Sequence, residues 1–417
     1  MADSHDAPAS GAAAPMTRPT AGRAAADPRS LLRLNNTLQV LTNGAWYVAT
    51  PFIPLYLVSQ GASAGVVGVV VGLSGIAPFA ISIHAGALVD QRGSPVVYLA
   101  SVVLFGLGGA ILTALHGVPA IGVAYTLMAV ANIGFAVAAQ AIVAGASTDA
   151  TRIRNYGYYS LWNSAGAVAG PIIGGFIAGR FGYAAAFSAV WILMLPSLAV
   201  ASSLRHVPRS PRRAVSLRTA YTLAGTILRQ RGVGAILFIS AMMVCAQALQ
   251  QSFYPLYLAK AGLPAPMIGL LVAAVSLASM VVRTLLAGGV AWLGTAGSLV
   301  GATVLVAGAF AVTPFLHAFW PLAAASGLMG ASLGFTQPLT MSLLVESVAA
   351  ELWGVALGLR QSMQRVAAIV SPLVFGAASA ARGVESAFFV GAAAMLGAAG
   401  IMTRFAEQIG RRDGGRT

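Results

Sequence analysis

From residue 33 to residue 405 the chain alternates between long apolar runs and short polar breaks. The runs cover residues 33–58, 64–88, 96–115, 118–146, 157–179, 183–204, 233–258, 266–291, 297–316, 319–346, 355–381 and 384–405. Each is long enough for a helix to cross a hydrocarbon core, which takes about 20 residues. None shows the strict apolar–polar alternation of a barrel strand. The pattern predicts an all-α polytopic membrane protein with twelve transmembrane helices.

Composition agrees with this pattern. The chain is 58% hydrophobic and 8% charged, and its 48 glycines suit helices that pack closely in lipid. The formal charge of +14 invites a nucleic-acid partner, but the basic residues lie in breaks and tails. Arg18, Arg23, Arg29, Arg33, Arg92, Arg152, Arg154, seven arginines between 205 and 231, Arg404, Arg411, Arg412 and Arg416 fall on one predicted side. Only Arg180, Lys260 and Arg382 fall on the other. That asymmetry predicts a plasma-membrane protein, inner membrane in a Gram-negative cell, with both termini cytoplasmic. Residues 1–32 and 406–417 read as cytoplasmic tails, the first flexible and without the apolar core of a signal peptide. Cys245 is the lone cysteine, which excludes a disulfide framework.

The basic break at 205–232 divides the runs into six and six, giving bundles at 33–204 and 233–405. The two parts are copies. Phe52-Ile-Pro54-Leu55-Tyr56-Leu57 matches Phe253-Tyr-Pro255-Leu256-Tyr257-Leu258, 201 positions later. The same offset relates Gly61 to Gly262, Gly68 to Gly269, Gly157 to Gly358, Pro171 to Pro372 and Gly175 to Gly376. Two pseudo-symmetric six-helix bundles follow, with any substrate site at their interface.

Two stretches carry a family resemblance. Gly86-Ala-Leu88-Val-Asp90-Gln91-Arg92-Gly93 resembles the signature between spans 2 and 3 of the major facilitator superfamily, with its basic positions partly displaced. Gly166-Ala-Val-Ala-Gly170-Pro171-Ile-Ile-Gly174-Gly175 matches in full that family's span 5 pattern in its exporter and antiporter branch. The resemblance implies an inner gate at Gly86, Asp90, Arg92 and Gly93, with Asp90 beneath the start of span 11 and Arg360 as its partner. On a helix, Gly166, Gly170 and Gly174 form one smooth stripe and Pro171 invites a kink, so span 5 reads as a closely packed pivot. The chain departs from proton-driven exporters of this branch: span 1 has no acid, and Val130 stands where span 4 would carry an arginine.

Candidate chemistry is sparse. No phosphate-binding loop, metal-ligand spacing or catalytic constellation is present, so neither an enzyme nor a cofactor is expected. Energy would come from a gradient. Charges inside spans mark function by default. Arg283 and Arg365 are candidate substrate ligands, while Asp149 and Glu346 are the acids nearest a span interior and the candidates for ion coupling. Asn36, Gln39, Asn43, Trp46 and Thr50 share one face of span 1. Gln247, Gln251 and Tyr254 lie on span 7, Asn132 on span 4, Trp162 and Asn163 on span 5, Gln337 on span 10 and Gln364 on span 11. These residues predict an amphipathic cavity for a small molecule in a monomeric carrier that exports a small organic, drug-like compound, with proton coupling open. The intramembrane arginines support a second reading, uptake or exchange of an organic anion. A non-transporting sensor or scaffold is the third, and it has no need of charges inside its spans.

Overall fold

A computed structural model describes residues 27–204, 225–228, 232–349 and 352–413. The tail 1–26, most of the basic segment 205–232 and residues 414–417 lie outside the described residues. The described chain is helical throughout: α1 (Pro28–Ala49), α2 (Ile53–Ser59), α3 (Ala64–Leu73), α4 (Ile76–Arg92), α5 (Ser94–Ala114), α6 (Val118–Gly145), α7 (Asp149–Phe181) and α8 (Tyr183–Ser202) in the first half. The second half holds α9 (Val233–Ala248), α10 (Tyr254–Lys260), α11 (Ala265–Thr284), α12 (Leu286–Val312), α13 (Phe319–Ser347), α14 (Trp353–Arg382) and α15 (Glu385–Asp413). Among the described residues, ten stretches are long and apolar enough to cross a membrane. The other two long helices, α1 and α13, are diluted by polar residues such as Asn35, Asn36 and Gln39 on the one and Ser332, Thr336 and Gln337 on the other.

The expected boundaries shift where caps and kinks act. Asp27 accepts hydrogen bonds from the Arg29 and Ser30 amides, so α1 begins at Pro28, inside the predicted tail. The last helix runs on to Asp413, also into a predicted tail. The run predicted to end at 291 stops at Thr284, and α12 bends at Gly294, where φ is 69°. Reversals between neighbouring helices are abrupt: α4 and α5, and α7 and α8, are joined by single glycines, Gly93 (φ 89°) and Gly182 (φ 84°). Only glycine takes that conformation without strain.

The copied segment breaks its helix in both halves. Pro54 follows the interruption at 50–52 between α1 and α2. Pro255 follows a π-helical turn at Leu249–Phe253 between α9 and α10. A proline removes one backbone donor, and the turn before it loosens to accommodate the loss. Tyr56 packs edge-on against Phe187 at 5.2 Å, and its copy Tyr257 packs edge-on against Phe388 at 5.4 Å. Since 187 and 388 differ by the same 201, the duplication holds at the level of contacts.

The two halves meet chiefly through α7 on α11 and α14 on α3. Both crossings use copied residues. A methyl group added to Gly269 would overlap the Pro171 carbonyl oxygen and lie 3.2 Å from Gly175 Cα. One added to Gly68 would overlap the Pro372 carbonyl oxygen and lie 2.7 Å from Gly376 Cα. Each glycine thus places a Cα–H against a carbonyl, the weak hydrogen bond common at tight helix crossings. These crossings lie in the part of the molecule away from the chain termini, called here the distal end. The stripe Gly166, Gly170 and Gly174 has a different neighbour. It packs on α1 of its own half, where a methyl group at Gly170 would come 2.7 Å from Gly44 O and Tyr47 Cβ.

Gly68→Val and Gly269→Val should each prop the distal crossings apart. Overpacking of this kind costs about 1–3 kcal/mol, so transport should fall about tenfold or more while membrane abundance stays within about twofold. Transport assays beside quantitative immunoblots test this; full activity in both variants would remove the crossings from the mechanism.

Candidate functional site

Between the halves, on the terminal side of the distal crossings, lies a cavity with two lobes. Tyr47, Val244, Gln247, Gln251, Gln337 and Gln364 border both and form the waist. The smaller lobe has a volume of about 130 Å³. Its wall carries Arg283 and Arg360, the hydroxyls of Ser240, Ser276, Ser279, Thr336 and Thr340, and Asn163. The larger lobe, about 380 Å³, is lined by Asn43, Trp46, Tyr125, Asn132, Gln361 and Arg365 among others. Among the described residues, no Asp, Glu, Lys or His borders either lobe.

Backbone features put these groups in place. The π turn of span 7 brings Gln250 and Gln251 to the smaller lobe, and the interruption after α1 brings Thr50 and Pro51 to the same wall. Asn43 donates to the Asn163 carbonyl and, at 3.1 Å, to Asn163 Oδ1, which ties α1 to α7 beside the glycine stripe. Gln364 donates to Ser240 Oγ at 2.8 Å and joins α14 to α9. Trp46 stacks on Tyr125 with centroids 6.0 Å apart and an interplanar angle of 27°.

The arginines differ in setting. Arg283 stands at the terminal end of α11 and is exposed. Arg360 is 8% exposed; one Nη donates to Thr340 Oγ1 at 3.3 Å, and its Nε is buried without a partner. Arg365 is half-buried on the larger lobe. None of the three forms an ion pair among the described residues; Lys260 and Glu385 pair at 2.6 Å, at the distal end. A buried cation without a carboxylate is costly unless something else solvates it.

Most predicted cavity residues converge here: Asn43, Trp46, Asn132, Asn163, Gln247, Gln251, Arg283, Gln337, Gln364 and Arg365. Four do not. Asn36 and Gln39 lie on α1 toward its start and line neither lobe, because the helical face that reaches the cavity at Asn43 turns into the first half below it. Trp162 is 42% exposed outside the cavity. Tyr254 is fully buried and bonds Ser326 Oγ at 2.7 Å and the Leu322 carbonyl, which makes it a core residue of the second half.

The predicted gate is arranged differently here. Arg360 faces the cavity, while Asp90 and Arg92 are exposed at the end of α4, and no Asp90–Arg360 pair exists among the described residues. Gly86 faces open space, whereas Gly93 supplies the left-handed turn into α5. Glu346 is exposed near the end of α13 and accepts a hydrogen bond from Ser342 Oγ at 2.6 Å. Asp149 opens α7, and its side chain lies outside what the structure describes. Sequence reading missed Tyr47, Tyr125 and Gln361. Tyr47 stands one turn after Asn43, and Gln361 one turn before Gln364, so helical spacing from accepted residues would have reached both.

A polytopic helical bundle, two copied halves that cross on glycines, and a polar cavity between them define a membrane transporter fold. The chain belongs to the Major Facilitator Superfamily, whose sequence profile matches residues 37–302. Solved structures extend the match over nearly the whole chain. A crystal structure of the nucleoside transporter NupG superposes with a TM-score of 0.74 at 14% identity, covering 90% of this chain and 98% of that one. A bacterial homologue of the human lysosomal transporter Spinster, in an inward-facing and unoccupied conformation, gives 0.67 at 16% identity, covering 92% and 96%. No curated protein sequence matches the chain significantly.

Tyr254→Phe tests the reassignment of that residue. Loss of one buried hydrogen bond should cost about 0.5–1.5 kcal/mol and lower the unfolding temperature in detergent, with substrate affinity unchanged. A large loss of affinity without loss of stability would return Tyr254 to the binding site.

Proposed function

We propose that the chain is a secondary transporter that carries a small organic anion through the membrane by alternating access. One observation carries this reading: Arg283, Arg360 and Arg365 border the cavity and no carboxylate does among the described residues. In a site of reduced dielectric, such a wall favours an anion and repels a cation. Guanidinium groups beside serine and threonine hydroxyls are suited to bind oxyanions through several hydrogen bonds at once.

The mechanism proposed is a rocking of two six-helix bundles, twelve spans in all, with both termini in the cytoplasm and the basic residues on that side. The copied glycine crossings close the distal end, and the cavity opens toward the terminal end. Reorientation would part α7 from α11 and α3 from α14 while the terminal ends close. The Asp90–Arg360 contact is proposed for that opposite state, in which the start of α14 approaches the end of α4. The glycine stripe on α7 is proposed to hold α1 rigidly to its own bundle during the movement. Export is the proposed direction, supported by the Gly166–Gly175 run. Glu346 lies outside the cavity, so the driving force proposed is a gradient of the substrate or of an exchanged anion, not protonation of a cavity carboxylate.

In proteoliposomes, Arg360→Gln and Arg283→Gln should each reduce counterflow of anionic substrates about tenfold or more, as expected for loss of a charge-assisted hydrogen bond of about 1.5–3 kcal/mol. Collapsing the pH gradient should leave wild-type counterflow unchanged. Equal transport of anions by wild type and both variants would refute the anion reading, and loss of transport with the pH gradient would restore proton coupling.

A further inference from the structure

Each lobe of the cavity suits a different chemistry. The smaller one, about 130 Å³, has the room of a charged head group and presents Arg283, Arg360, Thr336 and Thr340. Arg360 Nε faces no partner despite its burial. An unsatisfied guanidinium N–H in so little space calls for an oxyanion. The larger lobe, about 380 Å³, has the size range of sites for small organic ligands. Its wall pairs the stacked Trp46 and Tyr125 with amides at Asn43, Asn132 and Gln361. Arg365 adds a flat cation that can stack on a ring as well as hydrogen-bond to it. Aromatic walls with a few placed amides suit a flat ring bearing polar substituents.

We propose that the substrate is a two-part molecule: an aromatic ring system in the Trp46–Tyr125 lobe, joined by a short linker across the glutamine waist to an oxyanion held by Arg283 and Arg360. This rests on the anion reading above and adds to it that charge alone is insufficient for recognition. A small aliphatic anion would fill only the first lobe, and a neutral aromatic compound only the second. Joined in one molecule the two contacts reinforce one another, because the second is made without a further loss of translational freedom. Trp46, Tyr125 and Asn132 come from the first half of the chain, and Arg283, Arg360 and Arg365 from the second. The two-part substrate therefore bridges the two moving bodies, and recognition is tied to their relative position.

The test uses the full-length protein, with binding followed by thermal stabilisation in detergent and by competition in counterflow in proteoliposomes. The probes are 4-hydroxyphenylacetate, its neutral amide 4-hydroxyphenylacetamide, acetate, and phenyl phosphate as the alternative head group. At least one aryl anion should bind about tenfold or more tightly than both the amide and acetate. Arg360→Gln should reduce the aryl anion to the level of the amide, and Trp46→Leu should reduce it to the level of acetate. Arg360→Lys and Trp46→Phe, as conservative partners, should recover part of the binding and report on folding. If acetate competes as well as the aryl anions and Trp46→Leu is silent, the two-part substrate is wrong while the anion reading stands. If the amide binds as well as the anion and Arg360→Gln is silent, the anion reading itself falls. No binding of either aryl anion up to about 10 mM, weaker than any useful carrier site, overturns the proposal.

Discussion

The structure depends on two places where backbone meets backbone. At Gly269 against Pro171 and Gly175, and at Gly68 against Pro372 and Gly376, helices of the two chain halves approach so closely that a Cβ on either glycine would overlap a carbonyl oxygen. In lipid there is no hydrophobic gain in bringing apolar helices together, so close packing and weak Cα–H···O contacts supply the attraction. A contact made of glycine and carbonyl also orders no side chain, and so carries none of the rotamer entropy that a leucine interface would. Attraction is modest and the cost of making or breaking it is small. That balance suits a seam that opens and closes in the rocking motion proposed above.

The duplication explains why there are two such seams and why they are alike. An offset of 201 turns the α7–α11 crossing into the α14–α3 crossing, residue for residue at the glycines and prolines. What diverged is the remainder of the α7 stripe. Gly166, Gly170 and Gly174, packed on α1, correspond to Ala367, Ser371 and Phe375 in α14. Phe375 instead packs against Phe253, its ring 6.0 Å away at 71°. The first half thus fixes α7 by close backbone contact, the second fixes α14 by aromatic packing. Seven residues before Pro372 the second copy places Arg365, where the first has Ser164, so the cavity is charged from one side only.

Much of this was legible in the sequence, and the limits have physical causes. Apolar length located the helices because it acts locally; the copied glycines revealed the duplication but not which helices they join, since that contact spans the two halves. A spacing of 3.6 residues carried Asn43 and Trp46 correctly to the cavity but also swept in Asn36 and Gln39. A helical stripe says which residues share a face, not how far along the helix that face stays beside a cavity. Tyr254 misled for a related reason: an aromatic hydroxyl in a span satisfies itself in a core, through Ser326 and the Leu322 carbonyl, as readily as it greets a ligand. Arg360 was read as the gate partner of Asp90, yet the start of α14 at Trp353 sets it two turns inside, with its guanidinium in the cavity. The pairing of an acid on one helix with a base on another depends on the conformational state, and sequence carries no record of which state is populated.

The glutamines at the waist have a consequence for the unloaded protein. A carboxylate there would cancel the arginines permanently and compete with an anion; a leucine would leave them bare. An amide does neither, since it presents a donor at one end and an acceptor at the other. Gln364 already directs its nitrogen to Ser240 and so keeps its oxygen for other work, while Gln247, Gln251 and Gln337 border both lobes. With cargo present, the N–H groups can turn toward it; with cargo gone, the carbonyl oxygens can turn toward the guanidinium groups. For the anion proposed above, the waist would act as a reversible dielectric, a local solvent built from side chains that follows the cargo's charge without itself changing protonation.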